Sequence, residues 1–156
     1  MARQWWWREN NCMTDCIYCT LPDIKARTLK RNDLAWAFLT NIPITPGHTL
    51  VVPARHVQRF EELTSDEKAA IFALAAEVKD ALRATFGAEG FNHAWNEEAV
   101  AGQSIPHFHL HIIPRKAGDE GITEYEPRKF IYRPGSREAT PEAELQAITK
   151  EIIEKM

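Results

Sequence analysis

At 156 residues, 44% hydrophobic and 26% charged, the chain has the size and balance of one globular domain with its own core. A net charge of -3 leaves no basic footprint for duplex nucleic acid or an anionic membrane, so any phosphate recognition must be local. No apolar run approaches the roughly 18 residues of a membrane helix, and "MARQWWWREN" lacks the apolar stretch and cleavage site of a signal peptide. A cytoplasmic protein is expected.

Cys12, Cys16 and Cys19 crowd into eight positions, which suits thiols or metal ligands better than a disulfide framework. "CIYC", Cys16 to Cys19, has the spacing of half a tetrahedral zinc site, although a redox pair or two buried thiols would read the same. Asp33 to Thr40 reads as a strand, and "NIPITPG" as a connection broken by Pro43, Pro46 and Gly47. The β-branched run His48 to Pro53 predicts a second strand, antiparallel to the first.

The clearest helix is Thr64 to Phe86. Thr64 and Glu67 have capping-box spacing, Ile71, Leu74, Ala75, Val78 and Leu82 form one apolar stripe, and Gly87 stands where a C-terminal cap belongs. Gly90 to Asn96 reads as a strand, "EEAVAGQS" as a loop, and His107 to Ile113 as the last central strand. A final helix is predicted from Pro141, with Thr140 as N-cap and Leu145, Ile148 and Ile152 as its stripe. Strands crossed by one long helix imply an α+β fold on a mainly antiparallel sheet of about five strands. A single domain is expected, with a core over about 16–119, an N-terminal arm over 1–15 and a helical extension over about 120–156.

In "SIPHFHLHIIPRK", alternation puts His107, His109 and His111 on one side of a strand and Phe108, Leu110 and Ile112 on the other. Same-face neighbours lie about 6.5–7 Å apart, so two imidazoles can flank a phosphate. An imidazole with a pKa of about 6.5 can act near neutrality as nucleophile, base or acid. Three histidines on a strand also suit a catalytic zinc site, and burying them without purpose costs desolvation at each.

"GQSIPHFHLHIIPR" resembles the signature of the histidine triad (HIT) family of nucleotide hydrolases and nucleotidyl transferases. "NIPITPGHTLVVPARHVQRFEEL" is similar to the family's earlier segment, and "PRKAGD" to the continuation in its fragile-histidine-triad and dinucleoside-polyphosphate hydrolase branch. The likeness runs from about Cys16 to Asp119. It implies a covalent nucleotidyl intermediate on His109, with His111 stabilising charge or moving a proton. It also implies phosphate contacts from Gly102, Gln103 and Ser104, and nucleotide contacts from Asn41 (at the ribose) and Asn96. His48 would support the site from an adjacent strand, and the base, adenine by resemblance, would rest on Phe38, Leu39 or Ile42.

Bacterial relatives with a Cys-x-x-Cys pair imply structural zinc on Cys16, Cys19, His56 and His107, no organic cofactor, and a homodimer. Cys12 matches no role, and Trp5, Trp6 and Trp7 suit either an interface or an arm folded on the domain. Two other readings stay open: a metal-dependent hydrolase that uses all three triad histidines as ligands, and a non-catalytic nucleotide-binding module.

Overall fold

The computed structural model of the chain describes residues 16–121 and 138–156, so Cys12 and Trp5 to Trp7 lie outside the described residues. Along the chain run α1 (Ile17–Thr20), α2 (Pro22–Ala26), β1 (Thr28–Arg31), β2 (Ala35–Leu39), β3 (Thr49–Pro53), α3 (Ser65–Phe86), β4 (Gly90–Ala94), β5 (Leu110–Arg115) and α4 (Glu142–Ile153). The five strands form one sheet in the order β1-β2-β3-β5-β4, with every neighbouring pair antiparallel. This is the expected α+β architecture.

Both faces of the central strands are covered, which is why β2 and β3 read as unbroken apolar runs rather than alternating ones. On one face Ala35, Ala37, Leu39, Val51, Leu110 and Ile112 pack with Ile71, Leu74, Val78 and Leu82 of α3. On the other, Trp36, Phe38, Leu50 and Val52 pack with Cys16, Tyr18 and Ile24 from the α1–α2 segment. The helix α3 begins as expected: Thr64 Oγ1 accepts from the Glu67 backbone N–H, and the Glu67 carboxylate accepts from the Thr64 N–H. Arg55 grips the same carboxylate through Nε and Nη2 at 2.9 and 2.8 Å, which lets Glu67 be buried. Gly87 ends the helix at φ 64°.

Gly47 has φ 86°, and a Cβ there would stand 2.7 Å from both Leu82 and Phe86. Only glycine fits between the turn before β3 and the back of α3. His48 follows it directly, so this turn aims a histidine at the sheet.

Two boundaries differ from expectation. Pro141 (φ -55°, ψ 140°) is extended and accepts the first helical bond through its carbonyl, so it, not Thr140, is the N-cap of α4. The ladder of β5 starts at Leu110, leaving His107 and His109 in the approach to it, because pairing with β3 reaches only from Ile112 to Leu110. Beyond that, the Phe108 N–H is taken by the Val57 carbonyl. Short α1, α2 and β1 gave no sequence signal: in "DIKARTLKR" only Ile24, Arg27 and Leu29 are buried, too sparse to show a period.

After β5, Arg115 binds both oxygens of Asp119 at 2.7 and 2.8 Å, and the backbone N–H groups of Lys116 and Gly121 also donate to it. The hydrogen bonds from Arg115 lead in holding this carboxyl down to about 2. A folded-state pKa below the unfolded value of about 3.9 means stabilisation that is complete above that value and is lost as pH falls toward 2. Asp119→Asn should therefore lose less stability than wild type between about pH 5 and about pH 2.5 in denaturant titrations. Equal acid sensitivity in the two proteins would show that the pair does not contribute.

Candidate active site and metal centre

His107, His109 and His111 are all buried, but their rings do different things. His107 Nε2 donates to the Pro53 carbonyl at 3.0 Å, which leaves Nδ1 as the lone-pair nitrogen. That nitrogen lies 3.5 Å from Cys16 Sγ and 3.7 Å from Cys19 Sγ, and Cys19 Sγ lies 3.8 Å from His56 Nδ1. The four ligand atoms all fall within 4.8 Å of one another. A tetrahedral zinc ion with ordinary Zn–S and Zn–N bonds has ligand–ligand edges of about 3.4–3.8 Å, so these separations read as polyhedron edges.

The donor set fits zinc: two sulfurs, two imidazoles, and a carbonyl that fixes the outer nitrogen of one of them. Burial pushes His107 down to about 3, which keeps it neutral, and pushes the Cys16 thiol up. Cys16 is a free thiol and Cys19 is in a disulfide, so a metal-holding form requires Cys19 reduced.

His109 Nδ1 donates to the His107 carbonyl at 2.7 Å, so in the neutral ring the lone pair is on Nε2. Burial lowers its pKa, with that carbonyl bond opposing, so the unprotonated form dominates at neutral pH. His111 belongs to a second relay. The Ile44 N–H donates to His48 Nδ1 at 3.1 Å, so a neutral His48 carries its proton on Nε2. That proton points to His111 Nδ1 at 2.9 Å, which leaves His111 with an N–H at Nε2. The rings of His109 and His111 stand 5.0 Å apart, one presenting a lone pair and the other an N–H donor. The backbone amide of Ile44 thus sets the proton of a histidine two residues beyond the nucleophile candidate.

Both rings line a cavity of about 200 Å³ together with Ser104, Thr40, Asn41, Tyr18, Phe38 and Ile42. Leu39 is not part of it, since strand alternation turns it toward α3. Gly102, at φ 94°, holds the bend before Ser104. Gln103 is committed elsewhere: its oxygen accepts from the Glu98 N–H at 3.0 Å and its nitrogen donates to the Gln58 carbonyl at 2.8 Å. Asn96 likewise donates within its own loop, to the Gly102 carbonyl at 3.4 Å. These two amides brace the loop that carries Gly102 and Ser104, and neither lines the cavity.

Three polar cavity residues escaped sequence reasoning. Thr40 gave no signal at a strand end. Tyr18, between the two cysteines, meets the His107 and His109 rings edge-on at 5.8 and 5.5 Å. Arg27 is a buried cation in a stretch that reads as solvated surface.

The HIT domain model matches residues 22–118. An uncharacterized HIT-like protein of Mycoplasma genitalium is 36% identical over 73% of this chain and 82% of its own length. The asymmetrical bis(5'-nucleosyl)-tetraphosphatase of Schizosaccharomyces pombe is 36% identical over 66% of this chain and 57% of its own. The crystal structure of a Zn-bound histidine triad family protein from Mycobacterium smegmatis superposes with a TM-score of 0.60 at 24% identity, covering 81% of this chain and 84% of that one. No described helix is long and apolar enough to cross a membrane. The match over residues 22–118, which span all five strands and the long helix, makes the chain a member of the HIT domain family.

Proposed function

We propose that the protein is a nucleotide hydrolase or nucleotidyl transferase that works through a covalent intermediate on His109. The observation that carries this reading is the 2.7 Å bond from His109 Nδ1 to the His107 carbonyl, which holds the Nε2 lone pair ready in a ring that lines the cavity. Nε2 attacks the α-phosphorus of a dinucleoside polyphosphate or nucleoside phosphoramidate. A P–N bond to His109 forms and the bond to the leaving group breaks; a polyphosphate departs as its anion and an amine takes its proton from water, while the His111 Nε2–H keeps its proton and donates a hydrogen bond to the oxygens on phosphorus. Water then splits the P–N bond and releases a nucleoside monophosphate. Two moderate steps replace one hard one, without a metal at the reacting atom.

Ser104 supplies a hydroxyl donor for phosphate oxygens, while Asn41 and Thr40 supply acceptors for the ribose hydroxyls. Gly102 gives the bend that brings the loop close, and Gln103 and Asn96 act by holding that loop. The cluster of Cys16, Cys19, His56 and His107 holds structural zinc, and its ion braces the approach to β5. A three-histidine catalytic metal is disfavoured because His107 Nδ1 faces the cysteines while His109 Nδ1 is bonded to a carbonyl. A two-fold dimer that joins the sheets would use one of the two strands, β1 or β4, that have a single neighbour among the described residues.

The test is to incubate the protein with diadenosine polyphosphates and nucleoside phosphoramidates, quench, and weigh the peptide that carries His107 to His111. A mass increment of one nucleotidyl group is expected on it. Turnover with no such adduct at any time point counts against covalent catalysis. His48→Ala should lower turnover by about 10²-fold, since His111 then loses the partner that fixes its proton. His48→Gln, which keeps a donor near the Nε2 position, should recover part of that loss in steady-state kinetics.

A further inference from the structure

Among the groups that line the cavity, Arg27 is the one charged side chain that neither the metal cluster nor the proposed phosphate and ribose contacts use. It is 5% exposed. Its Nη1 donates to the Leu39 carbonyl at 2.7 Å and its Nε to the Asp23 carbonyl at 3.3 Å. Glu142 Oε2 stands 3.5 Å from Nε. A guanidinium has five N–H donors, so both hydrogens of Nη2 are left without a hydrogen-bond acceptor among the described residues. Nη2 is not fully enclosed by protein, so its hydrogens are open to water in the cavity, which a ligand acceptor can replace.

The rest of the cavity decides which part of a nucleotide reaches this group. The α-phosphate must lie at His109, His111 and Ser104, and the ribose at Thr40 and Asn41. The remaining wall is apolar, made by Ile17, Leu21, Ile24, Phe38 and Leu50, and fits only the base. Arg27 is three residues past Ile24 and is bonded to the backbone next to Phe38, so it borders that wall. Glu142 already balances its charge, so a neutral acceptor suits it better than a further phosphate.

Resting on the proposed nucleotide reading of this site, we infer that Arg27 selects the base, and that the protein prefers guanine over adenine nucleotides. A guanidinium can only donate. Guanine offers two acceptors on one edge, O6 and N7, and arginine is the usual partner for that edge. Adenine replaces O6 with an N6 amino group, whose hydrogens would face the hydrogens of Nη2. The adenine that the family resemblance implies is therefore the poorer ligand, because Arg27 would be buried against a donor.

The test is a competition between guanosine, inosine and adenosine 5'-phosphoramidates, read as the ratio of kcat/KM values. Guanosine should lead adenosine by about ten-fold or more. Inosine keeps O6 and N7 but lacks the 2-amino group, and should match guanosine. Arg27→Met, folded to the wild-type unfolding midpoint, should bring the guanosine-to-adenosine ratio close to one. The inference is overturned by a wild-type ratio at or below one, by inosine behaving like adenosine, or by a ratio unchanged in folded Arg27→Met. Because the first two outcomes need no variant, a misfolded Arg27→Met leaves the inference fully exposed to refutation. Failure of all three substrates to label His109 would instead refute the catalytic reading itself.

Discussion

His109→Ala is expected to lower nucleotide turnover by about 10⁴-fold or more while the nucleotide still binds. Alanine removes the one lone pair that the His107 carbonyl bond prepares, and no neighbouring group can replace it. His111 carries a hydrogen at the corresponding nitrogen, and His107 Nδ1 faces the cysteines. The cavity walls do not depend on the imidazole, so the dissociation constant measured by calorimetry with a non-hydrolysable analogue should change by less than about ten-fold. Wild-type turnover in this variant would eliminate nucleophilic catalysis by His109. Loss of binding together with turnover would instead assign the ring a structural part.

The second large effect concerns the metal. In reducing buffer the wild-type protein should carry about one zinc per chain, and the Cys16→Ser, Cys19→Ser double variant should carry none. Between the two sulfurs lie Ile17 and Tyr18, and both line the cavity. Tyr18 also rests on Phe38 with its ring 5.3 Å away. A four-residue helix has almost no stability of its own, so an ion held at the proposed site would add to the packing on Phe38 in tying this wall to the approach of β5. The double variant should bind nucleotide about 10-fold more weakly and unfold several degrees lower, whereas saturated turnover changes little. Elemental analysis, calorimetry and thermal scans read these three quantities separately. Zinc that survives without the thiols, with activity abolished by chelator, would favour an ion on the three histidines.

The metal experiment should control the redox state of Cys19, since a disulfide removes one ligand. Oxidised protein should then behave as the double variant does in zinc content.

Much of the fold was legible because it rests on local chemistry. The capping box at Thr64 and Glu67, the apolar stripe of α3 and the left-handed Gly87 each depend on neighbours within a turn or two. The triad was legible as well, since alternation alone puts Phe108, Leu110 and Ile112 against α3 and the histidines on the opposite side. The α1–α2 segment and β1 were not. Their buried positions are isolated among charged residues, and only the sheet face they cover makes them regular.

By itself the sequence determined which imidazoles are available and on which side of a strand they stand, because side-chain alternation is a property of the backbone. What each imidazole does was decided by tertiary contacts. The Pro53 carbonyl turns His107 to the cysteines, the His107 carbonyl sets the lone pair of His109, and the Ile44 amide acts through His48 on His111. The same holds for Gln103, whose place in the signature suggests phosphate but whose amide is taken by Gln58 and Glu98, and for Arg27. A proton's position and a donor's freedom depend on partners brought from distant parts of the chain, and one strand's pattern does not carry that information.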